Sequence, residues 1–236
     1  MFKAINFATY DYCNRSCSWC PNVNDVRKTN EEMTLYTFYN IINQLKDIKY
    51  EGIIAPFGNN EPLADPLIFA LINEIHDTLP NNKIALHTNG DGLSDEKMLE
   101  KFLISPIDDI VVNCYDDEKH LKELKSKLKP IENRVRFNHI QKPLDHFWNR
   151  GGNVPNIKPS SQSSRCFIPF EWLSINHKGD VYLCCSDWKY EVTFGNINNE
   201  NILDIWYNEK YQKYRIMHDH NKGKEMPLCN RCNLIK

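Results

Sequence analysis

The chain has 236 residues, 41% of them hydrophobic and 25% charged, with 29 basic side chains against 31 acidic ones. A balance this even leaves no field for steering toward nucleic acid or an anionic lipid surface, and the composition is that of an ordinary soluble protein with one sizeable core, or a medium domain with a smaller one appended. The longest apolar run, "LIFALI" at 67–72, is too short to span a bilayer, so the chain reads as cytosolic.

In chain order, "AINFATY" at 4–10 is β-branched and aromatic, and it predicts a first strand running into a cysteine-rich turn. Thr34 is the expected N-cap of a helix through "LYTFYNIINQLKDI". "GIIAPF" at 52–57 predicts a buried strand, followed by a helix capped by Asp65 with Pro66 at its first position. "KIALHT" at 83–88, a helix opening at Ser94, "DIVVNC" at 109–114, the helix "EKHLKELKSKL" and "RVRFNHI" at 134–140 continue the alternation. Five strands alternating with four helices predict an α/β fold with a parallel sheet, whose loops at the strand C-termini carry the function. The Gly-, Pro- and Ser-rich stretch from Asn149 to Cys166 reads as a linker, with a boundary between 148 and 162. Beyond it, "WLSINHKGDVYLCC" predicts a hairpin turning at Lys178 and Gly179, and "ENILDIWYNEKYQKYRIMH" an amphipathic helix.

Nine cysteines are many for a compartment where thiols stay reduced, so metal binding or catalysis is favoured over disulfides. Cys13, Cys17 and Cys20, in "CNRSCSWC", put three thiols on one short loop. Three thiolates fill three corners of a metal centre; an open fourth corner marks chemistry at the metal, whereas a structural zinc would borrow a further ligand. Cys166, Cys184, Cys229 and Cys232 form a second set, with Gly179 five positions before Cys184 and "CNRC" closing it. Spacing alone also fits a zinc ribbon. Cys184 is preferred to Cys185 as the ligand on the Gly179-x4-Cys184 spacing, with a swap between the two left open; both cannot easily join one centre, because neighbours on a strand point to opposite faces.

The Cys13-x3-Cys17-x2-Cys20 spacing, with Trp19 before the third cysteine, resembles the signature of the radical S-adenosylmethionine superfamily. That resemblance implies a truncated, partial TIM-like barrel over 1–150, a [4Fe-4S] cluster on the three thiolates, and S-adenosylmethionine on the iron they leave open. "FGNNEPL" at 57–63 resembles the segment that meets the methionine amino group, which implies cofactor contacts by Gly58, Asn60 and Glu61, with Asn60 standing where glycine is usual. "HTNG" at 87–90 is similar to another common segment, which adds Asn89, and Asn113 ends the fourth strand at the same mouth. Trp19 is expected to pack by the cofactor. The second cysteine set, with "GNI" at 195–197 and "DIW" at 204–206, resembles a small C-terminal twitch domain of the SPASM type over 151–236, carrying one auxiliary [4Fe-4S] cluster.

The overall plan is similar to twitch members that oxidise an alcohol of an aminocyclitol, which implies that Arg150, in "NRGG", meets the substrate hydroxyl. The expected reaction takes a hydrogen atom from a small polyhydroxylated substrate and passes the second electron to the auxiliary cluster. Two alternatives remain open: a redox-neutral epimerase using Cys114 or Cys185 as hydrogen donor, and modification of a ribosomal peptide. The twelve residues before Cys13 are too few for a leader-binding domain. Expected partners are the small-molecule substrate and an electron donor such as flavodoxin or ferredoxin, with neither nucleic acid nor membrane. A zinc-stabilised binding module is the non-enzymatic alternative.

Overall fold

The computed structural model describes residues 1–23, 29–140, 149–154, 157–158 and 165–233. The alternation holds: β1 (Ala4–Phe7), α1 (Leu35–Asp47), β2 (Ile53–Ala55), α2 (Ile68–Thr78), β3 (Ala85–Thr88), α3 (Glu96–Ile104), β4 (Asp109–Cys114), α4 (Glu118–Lys127) and β5 (Val135–His139). Then come α5 (Ile168–Glu171), β6 (Trp172–Ile175), β7 (Asp180–Tyr182), β8 (Thr193–Asn196), α6 (Ile202–Tyr207), α7 (Glu209–Asp219) and α8 (Pro227–Asn230).

Side-chain caps set the helix starts. Thr34 accepts from the Thr37 amide as expected, and Asp117 caps α4 through the His120 amide; each such bond is worth about 1 kcal/mol. Two expected starts move. Asp65 caps only the turn before α2, accepting from the Leu67 amide at 2.8 Å, and Asp95, not Ser94, caps α3 through the Met98 amide. Ser94 instead closes a short 3-10 turn by donating to the Asp91 carbonyl. The single helix expected near the C-terminus is two, α6 and α7, because Asn208 breaks the run and caps the second through the Tyr211 amide.

β1 lies at the centre of the molecule's pairing, parallel to β2 on one side and to β6 on the other. β3, β4 and β5 form a second parallel set, joined to the first by a bridge between Ile54 and Ile84. The strands therefore follow one another as β5-β4-β3-β2-β1-β6-β7-β8, and among the described residues this curved sheet does not close. The first five strands with α1–α4 are a partial barrel, and the antiparallel β6-β7-β8 extends it. The hairpin turns where expected, with Gly179 at φ +89° and the Asn176 side chain accepting from both the Lys178 and Asp180 amides. Much of the expected boundary lies outside the described residues.

Side-chain alternation sorts the strands into two faces. Ile5, Phe7, Ile54, Leu86, Ile110 and Val112 belong to the buried core with α1–α4. Asn6, His87, Val111, Asn113 and Asn138 lie on the other face, in register across the strands. The loops after β1, β2, β3 and β4 gather at one rim.

Candidate functional site

Cys13, Cys17 and Cys20 are all half-buried, on a loop tied by the Cys20 amide to the Cys17 carbonyl at 2.9 Å. Burial pushes the Cys13 thiol up to about 11, and the neighbouring thiols and Glu61 push the same way, so the three sulfurs and that carboxylate share one environment. The same desolvation raises Cys17. Without a metal the Cys13 and Cys17 thiols hold their protons; an iron centre would displace them.

Polar side chains brace this loop against its neighbours. The Arg15 guanidinium donates to both oxygens of Asp91, at 2.6 and 2.5 Å, and to both oxygens of Asp116, at 3.2 and 2.5 Å. Asn14 donates to Asp91 at 2.7 Å and accepts from the Asn89 amide side chain at 2.8 Å. The loop after β1 is thereby fixed to those after β3 and β4. The Glu61 amide donates to the Tyr12 carbonyl at 2.9 Å, which adds the loop after β2.

Glu61 is nearly fully buried and accepts from the Thr88 hydroxyl at 2.5 Å and from the amides of Leu63 at 3.1 Å and Asn89 at 2.7 Å. Burial nevertheless dominates and pushes its carboxyl up to about 7. A carboxylate has about four acceptor sites, so one stays available for an ammonium. Asn60 accepts from the Gly58 amide at 2.8 Å, and the Nδ2 atoms of Asn59 and Asn60 are buried with no partner among the described residues, two donors left for a bound group. Gly58 is in close packing, because an added Cβ would lie 3.1 Å from that of Ala8. Asn113 accepts from Asn138 at 3.0 Å. The Trp19 ring packs at 5.6 Å against Tyr115, which follows β4.

The second set converges as well. Cys166, Cys184, Cys229 and Cys232 line one small cavity of about 20 Å³ whose remaining wall is mostly apolar. Burial raises Cys166 to about 11 and Cys229 to about 12, and raises Cys184 too. Cys184 and Cys185 diverge, but not by strand alternation: β7 ends at Tyr182, and the two lie in the turn beyond it. Cys184 lines the cavity, whereas Cys185 faces Arg150, whose Nη1 donates to the Cys185 carbonyl at 3.5 Å.

Arg150 occupies a left-handed conformation, φ +48°, ahead of Gly151 at +62° and Gly152 at +84°. A bulky residue there costs about 1–2 kcal/mol, and the C-terminal segment holds it in place. The Asn149 amide donates to the Asn233 side chain at 2.8 Å, and the Asn233 amide donates back to Asn149 Oδ1 at 3.1 Å. A Cβ at Gly151 would meet Leu228 at 2.7 Å, so only glycine lets the turn lie this close. Cys114 is apart from all of this. Its position on β4 turns it to the helix side, where it is fully buried in the hydrophobic core, not at the mouth expected for a hydrogen donor.

Arg15, Asp91, Asp116, Tyr115, Asn149 and Asn233 are the supporting residues that sequence patterns alone do not single out. Four of them adjoin motifs already recognised: Arg15 is inside the cysteine octet, Asp91 follows "HTNG", Asn149 opens "NRGG" and Asn233 follows "CNRC".

An open three-thiol loop at the rim of a partial barrel, followed by a four-thiol cavity, is the arrangement of the radical S-adenosylmethionine proteins of the SPASM/twitch subgroup, which this chain resembles. Residues 166–233 match the SPASM iron-sulfur cluster-binding domain. Over its whole length the chain is 28% identical to the S-adenosyl-L-methionine-dependent 2-deoxy-scyllo-inosamine dehydrogenase of Niallia circulans, covering 94% of that protein. It is similar in structure to BtrN in complex with AdoMet and 2-DOIA, with a TM-score of 0.87 and 27% identity over 99% of this chain and 93% of that one. Streptococcus suis SuiB bound to its precursor peptide SuiA shares the fold alone, with a TM-score of 0.64 and 14% identity over 100% of this chain and 70% of that one. Among the described residues, no helix is long and apolar enough to cross a membrane.

Proposed function

We propose that this chain is a radical S-adenosylmethionine oxidoreductase that converts a secondary alcohol of a small polyhydroxylated substrate to a ketone, with an aminocyclitol such as 2-deoxy-scyllo-inosamine as the first candidate. Cys13, Cys17 and Cys20 hold a [4Fe-4S] cluster with one iron left for S-adenosylmethionine, and Cys166, Cys184, Cys229 and Cys232 hold a second, fully ligated one. When bound, these groups supply a 5′-deoxyadenosyl radical that takes hydrogen from the carbinol carbon, and a sink for one further electron.

The protein's own share is position and charge. Glu61 accepts from the cofactor's ammonium with its free lone pair, while Asn60, Gly58 and Asn89 shape the backbone around it, and Trp19 and Asn113 wall the same mouth. Arg150 stabilises the substrate oxygen as its proton leaves; a guanidinium has five donors and no acceptor, so it favours the oxyanion instead of taking the proton itself. The observation that carries this reading is the shared wall: the Arg150 guanidinium rests on the Cys185 carbonyl, and the next residue back, Cys184, lines the four-thiol cavity. A hydroxyl held by Arg150 would then share a wall with the cluster that the four cysteines would hold. A reduced flavodoxin or ferredoxin is the electron donor, and the cytoplasm, which keeps thiols reduced, is the compartment.

The test is anaerobic reconstitution, then turnover of 2-deoxy-scyllo-inosamine with S-adenosylmethionine and dithionite in deuterated water. One ketone per 5′-deoxyadenosine, with no solvent deuterium at that carbon, is expected. Deuterium at a carbon of inverted configuration would replace dehydrogenation with epimerisation, and a colourless protein holding zinc without iron would discard both.

A further inference from the structure

α7 presents an unusual buried face. Tyr211, Arg215 and His218 follow one another at i, i+4 and i+7, the spacing of a core stripe, yet all three carry polar tips and all are buried. Two of the tips end on backbone: Tyr211 donates to the Trp172 carbonyl at 3.2 Å, and Arg215 to the carbonyls of Pro169 and Trp206 at 2.8 and 2.6 Å. His218 ends on sulfur. Its Nε2 lies 3.6 Å from Cys229 Sγ, within hydrogen-bond range for sulfur, and the ring lines the four-thiol cavity. Its Nδ1 is buried with no hydrogen-bond partner among the described residues.

We infer that His218 is a positioning residue for the second cluster, donating a hydrogen bond from Nε2–H to the Cys229 sulfur and so raising that cluster's reduction potential. The inference rests on the proposal that the four cysteines hold a cluster. An iron-bound thiolate has no proton, so in this pair only the imidazole can donate. The opposite tautomer would aim a lone pair at an anionic sulfur and bury an N–H at Nδ1 without an acceptor, the costlier of the two omissions. Hydrogen bonds to sulfur are one of the levers that set cluster potentials: the bond offsets the negative charge that reduction adds. Lys224 donates to the Cys232 carbonyl at 2.7 Å and not to a sulfur, and Ser186, whose hydroxyl is buried, lines the same cavity without a hydrogen bond to a described group. The consequence is functional, because a second cluster that accepts an electron from substrate must be easy enough to reduce.

The experiment isolates that cluster in the full-length chain by replacing Cys13, Cys17 and Cys20 with alanine, then follows its reduction by EPR during a redox titration. His218→Phe keeps the ring volume and removes the donor; it is expected to lower the one-electron equilibrium constant about tenfold, or about 59 mV. His218→Gln, which keeps an N–H donor, is expected to recover at least half of that change. Should the Phe variant bind no iron, His218→Leu makes the same comparison. A potential unmoved by loss of the imidazole overturns the inference while leaving the cluster assignment intact. A parent chain that binds no iron after reconstitution overturns the cluster assignment first, and the inference with it.

Discussion

The two thiol centres of this molecule are built on opposite plans. The N-terminal three lie half-exposed at the rim of the sheet, on a loop held by charged and amide side chains: Arg15 on Asp91 and Asp116, and Asn14 on Asp91 and Asn89. The C-terminal four enclose a cavity walled by residues such as Ile168, Leu183 and Leu228. A centre that must admit a polar cofactor needs a solvent-facing side and a rigid polar frame. One that only stores an electron is served better by closure, because exposure and hydrogen bonding to sulfur both shift its potential. Arg150 stands where the plans meet, in a strained turn fastened to the C-terminal segment by Asn149 and Asn233.

The comparison breaks most sharply at the cysteines themselves. Cys17→Ala is expected to abolish 5′-deoxyadenosine formation while roughly four irons per chain remain on the other centre, as iron analysis and turnover assays will show. Cys229→Ala is expected to give the converse: cleavage of S-adenosylmethionine continues, seen by chromatography, but no ketone accumulates. At the meeting point, Arg150→Gly should lower ketone formation about 100- to 1,000-fold, as loss of one preorganised donor does. Because glycine accepts the left-handed conformation freely, that variant should unfold within about 1 kcal/mol of the parent; a much larger loss would make Arg150 a structural residue.

The frame of the open centre is tested by pH. Burial raises the Glu61 carboxyl from 4.5 to about 7 in the folded chain, so the folded state holds this proton more tightly than the unfolded one. Its stabilising contribution is complete below pH 4.5 and is lost as the pH rises to about 7, an effect of about 3 kcal/mol. In urea unfolding of the metal-free chain, Glu61→Gln should remove this decline. Asn233→Ala should have the smallest effect, about 1–3 kcal/mol by the same measurement, because it strands the buried Asn149 amide. Its ketone yield per 5′-deoxyadenosine should fall as the Arg150 turn loosens.

The open centre was the more legible of the two in the sequence, and for a physical reason: its three thiols and their neighbours Glu61 and Asn89 come from short loops after successive strands, so spacing within each loop carries the geometry. Helix starts were legible to within a residue or two, since Thr34 and Asp117 cap where a polar side chain precedes an apolar repeat. Ser94 misled because the next residue, Asp95, caps the helix in its place, and Asp65 because its side chain caps the turn just before α2, which itself starts without a side-chain cap. Cys114, at a strand end, reads from the sequence either as a small buried apolar residue or as a hydrogen donor, and the face it takes in the sheet makes it a core residue.

By itself, the sequence determined the alternation of five strands with four helices, the two groups of cysteines and the glycines on which the "NRGG" turn depends, because these follow from periodicity and local steric freedom. Tertiary structure alone decided the rest. It runs β6 alongside β1, carrying the sheet from one thiol centre toward the other. It turns Cys184 into the cavity and Cys185 toward Arg150, and it brings His218 to Cys229. Such choices depend on contacts between segments far apart in the chain, and no local pattern of residues encodes which distant partner a buried polar group will find.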